Sequence, residues 1–524
     1  MSINSNDLVQ NNPDLIDNLP RSRSGSSDNV SSDDIATADE DTKQLVVPVK
    51  RDKYTQHHVV VFVLTFVVYA LFHASRKNFS NVKSSISNEW LPQNTSDDVT
   101  FDHKNWNSHN LFDNIDSAQS FLGILDACFL FAYAVGLYIS GYLGDRYNPR
   151  YVLAIGMVLS GCALIAFGYV TEVFHFYNKA YYVSVWLFCG FIQACGWPNV
   201  VCVMGNWFGK SSRGSILGIW SACQSIGNIV GAYLAAYFLP YGYEYTFLVN
   251  GSLMVFGSVI VWSSLLSAPR EIGLPDPKET DDDDTVPAEY IQDRPKAIGF
   301  LQAVRLPGVI EYSLGYACLK FVNYSFFFWL PYYLNKKFDI PEGSADQLST
   351  WYDWGGIAGG FLCGLLTDFL GCRTPVMSLM MVFSICSLGG YSGTPSDSII
   401  NGVVMTIVGF FIGGASNVIA GAISADLGRN PAIKGSAEAV ASVTGILDGT
   451  GSVGAAIGQL AVPFMDQQAG WSSVFYLFMV MCFLTMICLT RLTYSETKDL
   501  IYRIRNRRKG VAHTTTDAPY ERFE

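Results

Sequence analysis

Twelve apolar runs constrain this chain more than any other feature. They fall at roughly 57–78, 118–141, 151–172, 180–206, 214–238 and 244–267, then 306–335, 348–370, 374–392, 398–424, 435–463 and 471–491. A bilayer core about 30 Å thick takes about 20 mostly apolar residues of helix to cross, so each run reads as a spanning helix. The charges agree. Asp, Glu, Lys and Arg make up 15% of the 524 residues, against about 25% in soluble domains. More than half of them crowd into 1–56, 268–300 and 491–524. The rest are too few to cover a water-facing surface. The expected fold class is an all-α membrane protein of about twelve transmembrane helices, with the lipid bilayer as its first partner.

Several function classes drop out. A net charge of −11 argues against nucleic acid, which asks for a basic face. The twelve cysteines lie in or beside apolar runs with no C-x-x-C, which suggests neither a disulfide framework nor a zinc site. The seven histidines show no metal-ligand spacing. No cofactor motif and no nucleophile–base arrangement stands out, so an enzyme is not expected. The first 45 residues are rich in Ser, Asn and Asp and hold no apolar core. They read as a disordered tail rather than a cleavable signal.

Cations set the orientation. With the N-terminus in the cytosol, the inner loops carry Arg146, Arg150, Lys210, Arg213, Arg373, Arg429 and Lys434, and the C-terminal tail adds Arg503, Arg505, Arg507, Arg508 and Lys509. Both termini are expected in the cytosol. The expected organisation is a tail over 1–56, a six-helix half over 57–267, an acidic linker over 268–305, a second half over 306–492 and a tail over 493–524. Asn94 heads the sequon Asn94-Thr95-Ser96 in the outer loop and is a candidate glycosylation site. Nothing in the sequence sets an oligomeric state.

The chain also repeats itself. Gly141, Asp145 and Arg150 follow the second run, and Gly364, Asp368 and Arg373 follow the eighth, each pair offset by 223 residues. An offset of six runs puts both turns on one face, as two parallel six-helix halves require. Glycine permits close helix approach, Asp caps a helix start and Arg pairs with Asp across the gap. Together with Arg146 these residues form the candidate gating set.

With those paired turns, the region from about 57 to 492 resembles the major facilitator superfamily. The segment His73-Ala-Ser-Arg76-Lys77-Asn78-Phe79-Ser80 resembles the R-K-x-x-S/A segment of its organophosphate:phosphate antiporters. Gly196-Trp197-Pro198, Asn206-Trp207-Phe208, Trp329-Leu330-Pro331 and the stretch Gly445–Gly454 are similar to that group as well, the last especially to the eukaryotic sugar-phosphate exchangers. The resemblance implies two six-helix bundles exchanging a small organic phosphate for inorganic phosphate. Glucose 6-phosphate or another hexose phosphate comes first and glycerol 3-phosphate close behind. It also implies an endomembrane address, the endoplasmic reticulum first. Bacterial members carry a second phosphate-gripping arginine where this chain has Asn323 and a span-5 histidine where it has Gln224. Lys320, three residues before Asn323, is what the eukaryotic exchangers have.

Charges inside the membrane cost about 2.5–3.5 kcal/mol each on insertion scales, so they are functional candidates by default. Arg76 and Lys77 close the first run, and Phe79, Val82 and Ile86 keep helical spacing beyond it, so the helix is expected to continue. Lys320 lies in the middle of the seventh run. Arg76 and Lys320 are the candidate phosphate grips, one from each half, with Lys77, His73, Asn323 and Gln224 behind them. Two unsatisfied cations resist closure until a phosphate dianion enters, which is the logic of exchange. Asp126 and Asp448 are deep acids that either carry protons, as in a symporter of an uncharged metabolite, or neutralise Lys77 and cap turns. Phe326, Phe327, Phe328 and Trp329 either stack on a sugar or face lipid. A non-transporting sensor is the remaining alternative.

Overall fold

A computed structural model describes residues 54–91, 111–144, 146–208, 216–217, 219–274, 300–428 and 440–508. The tail 1–53, Asn94, Asp145, the acidic stretch 281–284 and the second half of the C-terminal tail, 509–524, lie outside them. Twelve long helices fill the described residues. They are α1 (Gln56–Asn81), α2 (Ile115–Gly144), α3 (Pro149–Val173), α4 (Lys179–Trp207), α5 (Cys223–Phe238) and α6 (Tyr243–Ser264). The second six are α7 (Val309–Phe338), α8 (Glu342–Leu370), α9 (Thr374–Ser392), α10 (Ser398–Ile423), α11 (Val440–Ala469) and α12 (Trp471–Arg508). A short helix, Lys83–Glu89, extends α1, and Phe79, Val82 and Ile86 are all buried along it.

Local chemistry explains the boundaries. The Asn148 side chain accepts from the Arg150 amide at 3.0 Å just ahead of Pro149, the first residue of α3. Asn178 caps α4 through the Tyr181 amide at 3.0 Å, and Asp397 caps α10 through the Ile399 and Ile400 amides, both at 2.9 Å. At the other end of α8, Gly371 takes a left-handed φ of 62°, where a Cβ is strained.

Eight helices among the described residues are long and apolar enough to cross a membrane on hydropathy alone. The four that are not are α5, α7, α8 and α11. Helix α5 is short, and the others carry Lys320, Asp353 or Asp448 among glycines, serines and aromatic hydroxyls.

The repeat reappears in the packing. Helix α1 packs on α5, α2 on α4 and α3 on α6, and after a shift of six the same neighbours recur as α7 on α11, α8 on α10 and α9 on α12. Between the halves, α2 lies along α11 and α5 along α8. The shift turns one of these contacts into the other. Small residues permit the closest pair, α8 and α10: a Cβ on Gly359 would stand 2.0 Å from the Phe410 carbonyl oxygen, and one on Gly409 the same distance from that of Tyr352. Gly364 of the repeat does not work this way. A Cβ there meets nothing within 4 Å, so its expected role in close approach is not what the packing shows.

Candidate functional site

Arg76 and Lys320 sit at the centre, where α1 meets α7, and both are fully buried. They converge on the same two tyrosines. Arg76 Nη1 donates to the Tyr324 hydroxyl at 3.3 Å, while the Lys320 ammonium lies 4.7 Å from the Tyr324 ring centroid. The Arg76 guanidinium stands 4.5 Å from the Tyr133 ring centroid and Lys320 5.6 Å. Arg76 Nε also donates to Gln193 Oε1 at 3.3 Å, and Nη2 is buried without a partner. No carboxylate pairs with Arg76 among the described residues. Tyrosine faces offer a cation partial compensation, which leaves the guanidinium fork ready for an anion.

Lys320 departs from the expectation of two unsatisfied cations. Its ammonium donates to Asp448 Oδ1 at 2.5 Å and to Ser452 Oγ at 2.8 Å, because α7 and α11 pack side by side and place both residues on one seam. Asp448 thus neutralises Lys320 rather than Lys77, and it reaches Tyr133 at 3.5 Å across the halves. Asp126 pairs with buried Lys83, again not with Lys77.

Lys77, His73, Gln224 and Asn323 line a cavity next to this cluster, together with Asn228, Tyr324, Phe326, Phe327, Tyr352 and Asp353. Phe326, Phe327, Phe328 and Trp329 are all buried, so the lipid-facing reading of that cluster is not what the fold shows. Lys77 donates to the Phe327 carbonyl at 2.7 Å. His73 Nδ1 and Asn228 Oδ1 are 2.9 Å apart, and Asn228 Nδ2 donates to Asp353 Oδ1 at 2.7 Å. Asn323 accepts from the Tyr352 hydroxyl at 2.7 Å and donates to Ser416 at 3.1 Å. No cluster of metal-ligand type occurs among the described residues.

Among the described residues, the halves touch near both ends of the central space. At the end opposite the repeat turns, Glu342 of α8 accepts from the Ser84 amide at 2.9 Å and the Ser85 hydroxyl at 2.6 Å, and Ser80 donates to the Phe327 carbonyl at 2.8 Å. At the turn end, a Cβ on Gly445 would stand 2.7 Å from the Leu137 carbonyl and 3.4 Å from the Gly141 Cα. Tyr138 bonds Thr450 at 3.1 Å there. Arg373 pairs with Asp426 at 2.7 Å and Asp368 at 3.3 Å, and Arg150 with Glu271 at 3.0 Å. Arg373 is thereby tied within its own half, and Arg150 to the start of the linker.

The Major Facilitator Superfamily model matches residues 65–437 and again 348–516. The chain belongs to the major facilitator superfamily. Within it, "Sugar phosphate exchanger 3" of Xenopus laevis is 49% identical over 482 residues, 87% of this chain and 96% of that protein. "Glucose-6-phosphate exchanger SLC37A2" of Mus musculus is 36% identical over 467 residues, 83% and 92%. The solved xylose transporter XylE from E. coli aligns with TM-score 0.60 at 13% identity, covering 83% of this chain and 98% of that one. That likeness shows the fold alone; the family match and the apolar helices make the chain a multi-pass membrane protein, whose two halves meet across α2–α11 and α5–α8.

Three buried charges escaped the sequence reading. Lys83 sits in the continuation of the first helix beyond its apolar run, and Asp346 and Asp353 precede or open what read as the eighth run. Their signal was periodicity. Asp346 and Asp353 are seven residues apart, two turns on one face of α8.

Proposed function

We propose that this facilitator exchanges a small organic phosphate for inorganic phosphate by alternating access, with Arg76 as the principal phosphate grip and Lys320 its partner. The observation that carries the reading is Arg76 itself, a fully buried guanidinium with an unused nitrogen and no carboxylate partner among the described residues. Such a charge is costly, and a phosphate dianion removes the cost with a bidentate bond. Lys320 joins by exchanging Asp448 for phosphate oxygen.

Coupling follows from where the cluster lies. Tyr133 of α2 covers Arg76 and touches Asp448 of α11, so the ligand centre sits on the α2–α11 contact between the halves. An empty site leaves the guanidinium uncompensated in the closed form, which disfavours passage through that form without cargo. A loaded site passes. That asymmetry yields obligatory exchange. The organic substrate is a hexose 6-phosphate first, glycerol 3-phosphate second, a reading supported by the relatives' sugar-phosphate names. The membrane is the endoplasmic reticulum or another endomembrane, with both termini and the glycine–aspartate turns in the cytosol and the two halves bounded as the sequence suggests.

The test is uptake of labelled phosphate, glucose 6-phosphate and glycerol 3-phosphate into liposomes holding purified protein and internal phosphate. Uptake that needs internal phosphate and falls at least a hundredfold in Arg76→Ala supports exchange. Uptake driven by a pH gradient and indifferent to Arg76→Ala supports a proton-coupled symporter instead.

A further inference from the structure

We propose that the cavity between α1, α5, α7 and α8 is the subsite for the hydroxyl-bearing part of the substrate, with Asp353 its specificity-determining acceptor. This rests on the exchange reading above and adds to it the residues that would select its polyol phosphate cargo against a phosphate that carries a second acid.

Hydrogen-bond direction makes the argument. An amide nitrogen only donates and an amide oxygen only accepts. Asn228 Nδ2 donates to Asp353 Oδ1 at 2.7 Å, which fixes the Asn228 side chain and turns its oxygen toward His73 Nδ1 at 2.9 Å. His73 Nδ1 must therefore carry the proton. In the neutral ring that leaves Nε2 an acceptor, and Nε2 is buried without a partner. Asp353 engages Asn228 through one oxygen and keeps the other. Two acceptors on residues that line the cavity thus have no donor among the described residues, His73 Nε2 and the second Asp353 oxygen. Gln224 Nε2, buried and unpartnered, and Lys77 supply donors on the same wall.

Hydroxyl groups satisfy this set because each both donates and accepts. A carboxylate or a second phosphate does not, since it brings no proton to either acceptor and meets the Asp353 charge at close range. Tyr324 joins the two regions: it lines the cavity and its hydroxyl accepts from Arg76. A phosphate at Arg76 would direct its organic part past Tyr324 toward Asp353.

The experiment uses the full chain in phosphate-loaded liposomes and measures apparent KM for external phosphate, glycerol 3-phosphate, glucose 6-phosphate and 3-phosphoglycerate. In Asp353→Asn, the ratio of KM for the two polyol phosphates to KM for phosphate should rise at least tenfold, and discrimination against 3-phosphoglycerate should shrink. Gln224→Leu, which removes a donor without touching the Asn228 chain, should raise the same ratio a few-fold. An unchanged ratio in both variants overturns the subsite. So does an equal loss for phosphate and polyol phosphates, the mark of a residue that merely balances Lys77. If the unaltered protein exchanges no phosphate at all, the exchange reading itself fails, and that outcome is separate from an unchanged ratio.

Discussion

Lys320 donates to Asp448 at 2.5 Å, and the two residues belong to the same half of the molecule. The second cation of the central cluster therefore has its charge already matched, while Arg76, its counterpart on α1, does not. The two are not equivalent grips. Arg76 supplies the standing demand for an anion, and Lys320 supplies a charge that a ligand must win from Asp448.

That relationship predicts a stability pattern. Removing one partner of a buried ion pair leaves the other uncompensated, which costs about 3–5 kcal/mol. Lys320→Met should lower the unfolding temperature in detergent sharply, and Lys320→Met with Asp448→Asn should recover most of the loss. Neither should restore exchange. Recovery of transport in the double variant would show that Lys320 has no part in holding phosphate.

Lys83 and Asp126 form the same kind of pair away from the centre, with the Lys83 ammonium 3.7 Å from the Trp329 ring centroid. Here the account predicts a structural role. Either Lys83→Met or Asp126→Asn alone should destabilise by several kcal/mol. The double variant should regain both stability and exchange, with no new dependence on a pH gradient. A double variant that is stable yet transports nothing would give Asp126 a place in coupling.

Glu342 ties the halves together at the end opposite the repeat turns by accepting from the Ser84 and Ser85 amides and the Ser85 hydroxyl. Hydrogen bonds to a charged group contribute about 1.5–3 kcal/mol each. Glu342→Gln should therefore favour opening at this end, read as faster labelling of a cysteine placed at Ser85 by a membrane-impermeant thiol reagent. Labelling no faster than in the single-cysteine reference would remove Glu342 from the closure.

The α8–α10 contact gives a sharper stability prediction. At Gly359 a Cβ would come within 2.0 Å of the Phe410 carbonyl oxygen, a backbone atom, so Gly359→Ala must separate the helices. We expect loss of folded protein on size-exclusion chromatography. Gly364→Ala, with nothing within 4 Å, should fold normally.

The sequence made the helices and their two-fold arrangement legible because membrane length and a strict offset of 223 residues leave a mark in one dimension. It also singled out Arg76, Lys77 and Lys320, since charge within an apolar run is conspicuous. Pairing was not legible. Lys320 and Asp448 are 128 residues apart, and only the α7–α11 seam brings them together. Asp353 was missed for a different reason: at the edge of an apolar run an acid looks interfacial, and only the true start of α8 at Glu342 carries it into the interior. Lys83 was missed although the helix was expected to continue past Asn78, because a lysine among Ser and Asn beyond the apolar run looks solvated, and only the pairing with Asp126 shows it buried.

The most direct measurement is efflux of labelled phosphate from liposomes holding the full chain, with and without phosphate or glucose 6-phosphate outside. The account predicts negligible efflux into substrate-free buffer, rapid efflux once either external substrate is added, and neither in Arg76→Ala. Rapid efflux without external substrate, or exchange that persists in Arg76→Ala, would contradict it.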